Sequence, residues 1–119
     1  MAKVVGLGGI FYRVADPVAT KEWYKDVLGV GGEWGAMFAF SDDSPDGFSL
    51  LSPFGADSDY FAPSSQPFMI NLRVDDLDSM IADLTAKDVA ILGRQDDDNG
   101  RFAWIVDPDG IKLELWQQH

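Results

Sequence analysis

Gly9-Ile10-Phe11-Tyr12-Arg13-Val14-Ala15-Asp16 is the stretch that decides the fold, because its pattern returns 60 positions later as Met69-Ile70-Asn71-Leu72-Arg73-Val74-Asp75-Asp76. The ends of the two copies also correspond. Ser44-Pro45-Asp46-Gly47-Phe48-Ser49-Leu50-Leu51 is matched, at an offset of 63, by Asp107-Pro108-Asp109-Gly110-Ile111-Lys112-Leu113-Glu114. A repeat of this length in 119 residues indicates two copies of one supersecondary unit, each too small to bury its own apolar face. We therefore expect the functional site where the copies meet.

Each copy contains one predicted helix. Asp16-Pro17 supplies an N-cap and a first-turn proline, and Gly29 is typical of a helix end in the left-handed conformation. Ala19, Trp23 and Val27, at positions i, i+4 and i+8, give this helix an apolar stripe. The second helix has its cap at residue 76 and its end near residues 87–88. Its stripe consists of Leu77, Met80, Ile81 and Leu84.

Apolar runs bounded by turn residues predict the strands. They cover residues 4–14, 37–40 and 48–52 in the first copy and 68–74, 89–92, 102–106 and 112–116 in the second. Residues 96–99 form a predicted solvated turn. The chain is thus a single domain, 1–119, with repeat 1 at about 4–52, a connecting loop at 53–67 and repeat 2 at about 68–117. The predicted fold class is α+β: two βαβββ repeats form a cupped mixed sheet with two backing helices. Its concave face is a natural ligand pocket.

Composition excludes several classes of partner. The net charge of −11 and the pI near 4.1 work against nucleic acid and anionic membranes, because such binding needs a basic surface stripe. The chain contains no cysteine, which excludes disulfides and thiolate chemistry. Its first residues lack the apolar core of a signal peptide, and no apolar run reaches the roughly 18 residues of a membrane span. We expect a cytoplasmic protein.

Two motifs identify a family resemblance. Val14-Ala15-Asp16-Pro17 is followed by Trp23-Tyr24-Lys25-Asp26-Val27-Leu28-Gly29, and Asp107-Pro108-Asp109-Gly110 is followed by Leu113-Glu114-Leu115. Placed on an internal repeat, they resemble the vicinal oxygen chelate superfamily, which includes glyoxalase I, extradiol dioxygenases, fosfomycin-resistance enzymes and bleomycin-binding proteins. The resemblance covers nearly the whole chain. It implies a glyoxalase-like half-barrel and a homodimer, since members commonly form homodimers.

The resemblance also implies where a divalent metal would bind. Enzymes of the superfamily hold the ion with ligands from the first and last strand of each unit, which correspond here to Gly9, Met69, Leu51 and Glu114. Only Glu114 among them is a metal-binding side chain, and the sole histidine, His119, is the last residue. One carboxylate does not hold such a metal tightly, because these ions need roughly three or four protein ligands. We therefore expect no metal ligand and no cofactor, and keep a divalent metal as the alternative.

Strand alternation predicts the side chains that share the cup. If positions 9 and 69 face it, then Phe11, Arg13, Asn71 and Arg73 do as well, beside Glu114. Two interpretations of the arginines stay open: a structural Arg–Glu–Arg arrangement that holds the units in register, or a two-pronged grip on an acidic ligand. Two roles stay open for the glutamate, as an ion-paired group or as a general base whose pKa is raised by burial.

Aromatic residues complete the predicted site. Phe40 and Trp104 each lie two residues after another aromatic residue, Phe38 and Phe102, on the inner strands. Aromatic side chains in such positions can form both the core and the wall of a pocket. Tyr60 and Phe61, in the proline-flanked connecting loop, are either a lid over the cup or an anchor that pins the loop to the sheet. Trp34 and Trp116 are interpreted as packing residues.

These observations give the functional hypothesis. The chain is a small-molecule binding protein, or a divergent enzyme, of the glyoxalase and bleomycin-resistance type without the usual histidine ligands. Its ligand-binding residues are predicted to be Phe11, Arg13, Phe40, Tyr60, Asn71, Arg73, Trp104 and Glu114, with Glu114 as the catalytic candidate. The alternative is a metal-dependent lyase or dioxygenase with ligands from other positions or from a partner subunit. The charge of the ligand stays open, because the acidic exterior favours a basic molecule and the arginines favour an acidic one.

Overall fold

A computed structural model describes residues 2–39 and 47–118. The first unit contains β1 (Val4–Val14), α1 (Pro17–Leu28), β2 (Ala36–Ala39) and β3 (Phe48–Gly55). The second contains β4 (Phe68–Val74), α2 (Leu77–Ala86), β5 (Gly93–Asp97), β6 (Gly100–Val106) and β7 (Lys112–Gln117). The predicted α+β class, with two repeated units in one cupped mixed sheet and a helix on each, is confirmed. The second unit is βαβββ, and the described residues of the first unit contain three of its four predicted strands.

The two units join through their first strands. The described strands form one mixed sheet in the order β2-β3-β1-β4-β7-β6-β5, with β1 and β4 antiparallel at its centre. Ile10 lies opposite Ile70, and the neighbouring pairs are Phe11 with Met69 and Gly9 with Asn71. A shift of 60 residues exchanges these two pairs, so a pseudo-twofold axis passes between Ile10 and Ile70. The sequence repeat is therefore also a structural repeat.

Both helices begin and end where the capping residues predict. Asp16 accepts a hydrogen bond from the Ala19 backbone N–H at 3.1 Å, and Gly29 ends α1 with φ = 71°. Asp76 caps α2 in the same way, accepting from the Ser79 N–H at 3.2 Å. A side-chain acceptor at this position satisfies one of the free N–H groups of the first turn.

The core between helix and sheet differs in the two units. On the second unit, α2 covers a cluster formed by Val74, Leu77, Ala103, Ile105 and Leu115. On the first unit, α1 lies against β2 and β3 but buries none of its residues. Trp23 and Val27 of its predicted stripe are 52% and 57% exposed. The predicted apolar stripe of α1 is therefore largely exposed in the single chain.

Two strands differ from their predicted bounds. β3 continues to Gly55, three residues into the predicted connecting loop of 53–67. The pairing of β2 with β3 ends at Leu51, so beyond that residue one edge of β3 has no strand partner. Pro53 is tolerated there because a residue at a free edge does not need a backbone N–H to donate to a neighbouring strand. β5 covers Gly93–Asp97 rather than 89–92. As the edge strand it is polar and exposed, which hides it from a search for apolar runs.

Some expectations fall outside the described residues. Phe40 does so, as do Ser44, Pro45 and Asp46 of the terminal motif of repeat 1. Between α1 and β2, the described residues 29–35 contain no strand. None of the helices in the described part of the chain is long and apolar enough to cross a membrane.

Candidate functional site

A cavity of about 190 Å³ opens on the concave face of the sheet, opposite the helices. Its lining comes from every strand of the sheet except β2 and from three connecting segments. The lining residues are Phe11, Trp34, Leu50, Ser52, Phe54, Tyr60, Asn71, Gln95, Asp97, Asn99, Phe102, Trp104, Glu114 and Trp116. An apolar protein cavity of about 150 Å³ holds benzene. This cavity therefore has room for one ring and a small substituent.

Glu114 is the polar centre of the cavity. It lies in the middle of β7, directly opposite Asn71 on β4 and Trp104 on β6, and is 1% exposed. Asn71 donates through Nδ2 to Oε1 at 2.6 Å, and Trp104 donates through Nε1 to Oε2 at 2.7 Å. The Tyr60 hydroxyl also donates to Oε2. The sheet register therefore places two donors on the carboxylate, and the connecting segment supplies the third.

Burial raises the pKa of Glu114 above its ordinary value. The three hydrogen bonds and the charge of Lys112 favour the ionised form and oppose this rise. Burial likewise raises the pKa of Tyr60, with a further contribution from the negative charge of Glu114. Lys112 donates to the Tyr60 carbonyl at 2.6 Å, and its own pKa is lowered by burial. Glu114 is thus a buried carboxyl group with a raised pKa, the property required of a general acid or base.

Two groups of aromatic rings form the walls. Phe54 stacks between Phe11 and Tyr60, with ring centroids 5.3 Å from each. On the other side, Phe102 stacks between Trp104 at 6.5 Å and Trp116 at 5.8 Å. Tyr60 and Trp104 meet edge to face at 6.1 Å, above the carboxylate that both of them bind. The walls therefore converge on Glu114.

Tyr60 and Phe61 anchor the connecting segment to the cup. Phe61 is 1% exposed and packs with Phe11 and Met69. Tyr60 lines the cavity and binds Glu114. Of the two interpretations left open by the sequence, the structure favours the anchor over the lid.

The structure brings together five of the predicted site residues and leaves two outside. Phe11, Tyr60, Asn71, Trp104 and Glu114 all line the cavity. Arg13 does not: it donates to the Gln66 carbonyl at 2.9 Å and lies over the Phe61 ring at 5.7 Å. Arg73 lies beside Gly6 on β1 and also falls outside the described lining. The Arg–Glu–Arg arrangement was therefore wrong, because the donors to Glu114 are neutral side chains.

Several lining residues were missed by sequence reasoning. Ser52, rather than Leu51, is the counterpart of Glu114, since Phe11 pairs with Ser52 as Asn71 pairs with Glu114. The strand register could not be read from the offset of 63 between the motifs. Trp34 and Trp116 line the cavity instead of serving only as packing. Two residues of the predicted solvated turn, at positions 97 and 99, do so as well.

The residues at the family's metal-ligand positions do not fit a metal. The positions that the resemblance assigns to metal ligands hold Gly9, Met69 and Glu114 and, by the sheet register, Ser52, so only one carboxylate is available among them. Among residues 2–39 and 47–118, no group of three or more His, Cys, Asp or Glu side chains could hold an ion. Glu114 already accepts three hydrogen bonds, which leaves about one acceptor position of its carboxylate for an ion.

The sequence of the chain matches the profile of a known family. The profile of the glyoxalase/bleomycin resistance protein/dioxygenase superfamily matches residues 6–115. The chain belongs to this superfamily, also known as the vicinal oxygen chelate superfamily, as its motifs suggest. No curated protein matches the sequence.

Solved structures share the fold at low sequence identity. A methylmalonyl-CoA epimerase from Streptomyces coelicolor, in complex with 2-nitronate-propionyl-CoA, is 19% identical with a TM-score of 0.73, covering 98% of this chain and 99% of that one. A Mn(II)-bound glyoxalase from Novosphingobium aromaticivorans is 20% identical with a TM-score of 0.69, covering 98% and 40%. An NAD-dependent benzaldehyde dehydrogenase from Legionella pneumophila is 18% identical with a TM-score of 0.61, covering 93% and 98%. These similarities concern the fold alone.

The raised pKa of Glu114 predicts a pH dependence of stability. Between its ordinary value near 4.5 and the raised folded value, Glu114 is protonated in the folded protein and ionised in the unfolded chain. The unfolded state then binds fewer protons, so this group makes stability fall as pH rises through that window. Glu114→Gln, which stays neutral, removes the effect. The measurement is the melting temperature of the variant minus that of the wild type. As the pH increases from 4.5, this difference should grow and then level off. A difference that shrinks as the pH increases would show that the pKa of Glu114 is not raised in the folded protein.

Proposed function

We propose that this chain is a binding protein for a compact, largely apolar small molecule that occupies the aromatic cavity and places its polar group at Glu114. The observation that carries the proposal is the composition of the lining, in which aromatic walls converge on one buried carboxylate. Ligand sites typically combine a mostly apolar wall with a few polar groups that fix the orientation of the ligand. The unsuitable residues at the metal positions make binding, rather than metal chemistry, the function favoured here.

Benzyl alcohol tests the proposal, because one ring with a short polar arm matches the size of the cavity. A ligand at about ten times its Kd stabilises a protein by about 1.4 kcal/mol, which corresponds to about 6 °C in melting temperature for a domain of this size. We expect this shift in the wild type. Leu50→Trp places a large ring in the cavity and should abolish it.

The matched control adds the same side chain elsewhere. Leu28 is exposed on α1, so Leu28→Trp should keep the shift produced by benzyl alcohol. Equal shifts in all three proteins would place the binding site outside the cavity and contradict the proposal.

Two alternatives use the same carboxylate. In a divergent enzyme, Glu114 acts as a general base, which its raised pKa favours. Exchange of the benzylic protons of phenylacetone with D₂O, lost in Glu114→Gln, would support that role. In a metal-dependent lyase or dioxygenase, further ligands come from other positions or from a partner subunit. Uptake of one Mn²⁺ or Ni²⁺ per chain, lost in Glu114→Gln, would replace the binding proposal.

The homodimer remains a proposal. It is supported by exposed apolar side chains on α1 and on β1, where Trp23, Leu28 and Leu7 are at least half exposed. Surfaces of this kind mark sites of association. A single-chain mass in sedimentation equilibrium would contradict a dimer. The cytoplasmic location also stays a prediction.

A further inference from the structure

The charge of the cavity narrows the class of ligand, given the binding function proposed above. The charged side chains of the lining are Glu114 and Asp97. An adjoining cavity of about 280 Å³ shares Trp34 and Asn99 with the first and adds the carboxylates of Glu33 and Asp98. Within the described part of the chain, the lining of the two cavities contains no lysine, arginine or histidine. The charged side chains that line the two cavities are therefore all acidic.

The two arginines that would favour an acidic ligand do not line the cavity. Arg13 and Arg73 were the residues that favoured one, and both lie outside the lining. Lys112 is the cation whose charge acts on Glu114. It too is outside the lining, and its ammonium group donates to the Tyr60 carbonyl.

The floor of the cavity has hydrogen-bond acceptors available for a donor. A carboxylate offers about four acceptor positions, and the three donors to Glu114 occupy three of them. Asn71 is fully buried, and its Oδ1 has no hydrogen-bond partner among the described residues. Buried polar atoms are nearly always paired, so this acceptor indicates a missing donor. A ligand that brings N–H groups satisfies the site better than one that brings only acceptors.

The aromatic walls suit a positive charge as well as an apolar ring. The negative face of an aromatic ring attracts a cation within about 6 Å of the centroid. Lys112 already uses this attraction from outside the cavity, with Nζ at 5.2 Å from the Tyr60 centroid and 5.6 Å from that of Trp104. The Phe102 and Trp116 rings line the cavity beside these two.

We propose that the ligand is a protonated amine carried on a single aromatic ring or a similarly compact apolar group. Its ammonium group donates to the free acceptor position of Glu114 and to Asn71 Oδ1. Its ring lies between the two aromatic walls. The carboxylates near the opening attract the positive charge toward the cavity.

Three probes with the same ring and different charge test the proposal: benzylamine, benzyl alcohol and benzoate, titrated against the full chain by tryptophan fluorescence. A charge-assisted hydrogen bond in a buried site should make benzylamine bind about ten- to a hundredfold more tightly than benzyl alcohol. Benzoate should bind most weakly, because it places a second negative charge beside Glu114.

The outcomes separate this inference from the binding function. Equal affinity for the three probes, or a preference for benzoate, overturns the amine class and leaves the binding function standing. No binding of any probe overturns both. A preference for benzylamine supports both.

One pair of variants locates the charge that selects the ligand. Glu114→Gln keeps the shape of the side chain and removes its charge, so it should cost benzylamine about tenfold or more in affinity and cost the neutral benzyl alcohol less. Asp109→Asn removes one negative charge from an exposed turn away from the cavity and should change neither affinity. Equal losses of benzylamine affinity in the two variants would assign the preference to the overall charge of the protein and overturn the role of Glu114.

Discussion

Replacing Phe61 with alanine is expected to lower the free energy of unfolding by about 3–5 kcal/mol, the range measured for buried Phe-to-Ala substitutions. Phe61 is 1% exposed and packs with Phe11 and Met69, and its ring lies 5.2 Å from that of Phe54. The substitution removes apolar contact area and leaves a cavity that the rigid strands on either side cannot close. Urea unfolding monitored by circular dichroism measures the change.

Phe38→Ala is the matched control, because it removes the same ring from an exposed position. Phe38 is 44% exposed on β2, so its loss should cost less than about 1 kcal/mol. The Phe61 variant should also bind benzyl alcohol less well, since Phe61 fixes the segment that positions Tyr60. Similar stability losses in the two variants would show that the connecting segment is not anchored in the cup as described.

Replacing Gly9 with alanine is expected to lower the free energy of unfolding by about 3 kcal/mol, at the upper end of the usual cost of overpacking. A Cβ atom at this position would lie 2.3 Å from the carbonyl oxygen of Leu50 and 3.0 Å from its Cβ. Gly9 and Leu50 are direct neighbours on the parallel strands β1 and β3. The close contact is with backbone, so a change of rotamer cannot relieve it.

Gly31→Ala provides the comparison for this effect. The nearest atoms to a Cβ at Gly31 belong to the Lys25 side chain, at 3.8 Å, which is ordinary contact. We expect a change within about 0.5 kcal/mol. If Gly9→Ala proves equally mild, the spacing of β1 and β3 is wider than the structure shows.

The fold was largely predictable because its signals are local. The caps at Asp16 and Asp76 fix where the helices begin. The residues around Ile10 and Ile70 repeat at an interval of 60, and the same interval relates the residue pairs of β1 and β4 in the sheet. The bounds of β1 and β4 follow from the same residues. The edge strand β5 was misplaced because its polar residues carry no apolar signal.

The site was predictable only in part. The alternation of side chains along a strand predicts the face of the sheet on which a residue lies, but it does not predict how far along the strand that residue is from the cavity. Arg13 and Arg73 follow Phe11 and Asn71 by two residues on the same face. Since β1 and β4 run antiparallel, that step carries the two arginines away from the central axis in opposite directions. No property of the sequence alone shows this divergence.

Other lining residues could not be predicted because they come from distant segments. Trp34 lies before β2, and Asn99 lies in the turn between β5 and β6, yet both line the cavity. These two segments lie beside opposite edges of the sheet, so they can line one cavity only because the sheet is curved. The pairing of Glu114 with Asn71, by contrast, follows from the repeat once the register is known.

The tight contact at Gly9 limits the paths open to this lineage. The family resemblance assigns a first-strand metal ligand to position 9, so an imidazole there would be the natural first step in building a metal site into this cup. Any side chain at that point meets the Leu50 carbonyl before it can reach an ion. A metal site that uses position 9 would therefore require β1 and β3 to lie farther apart at this point.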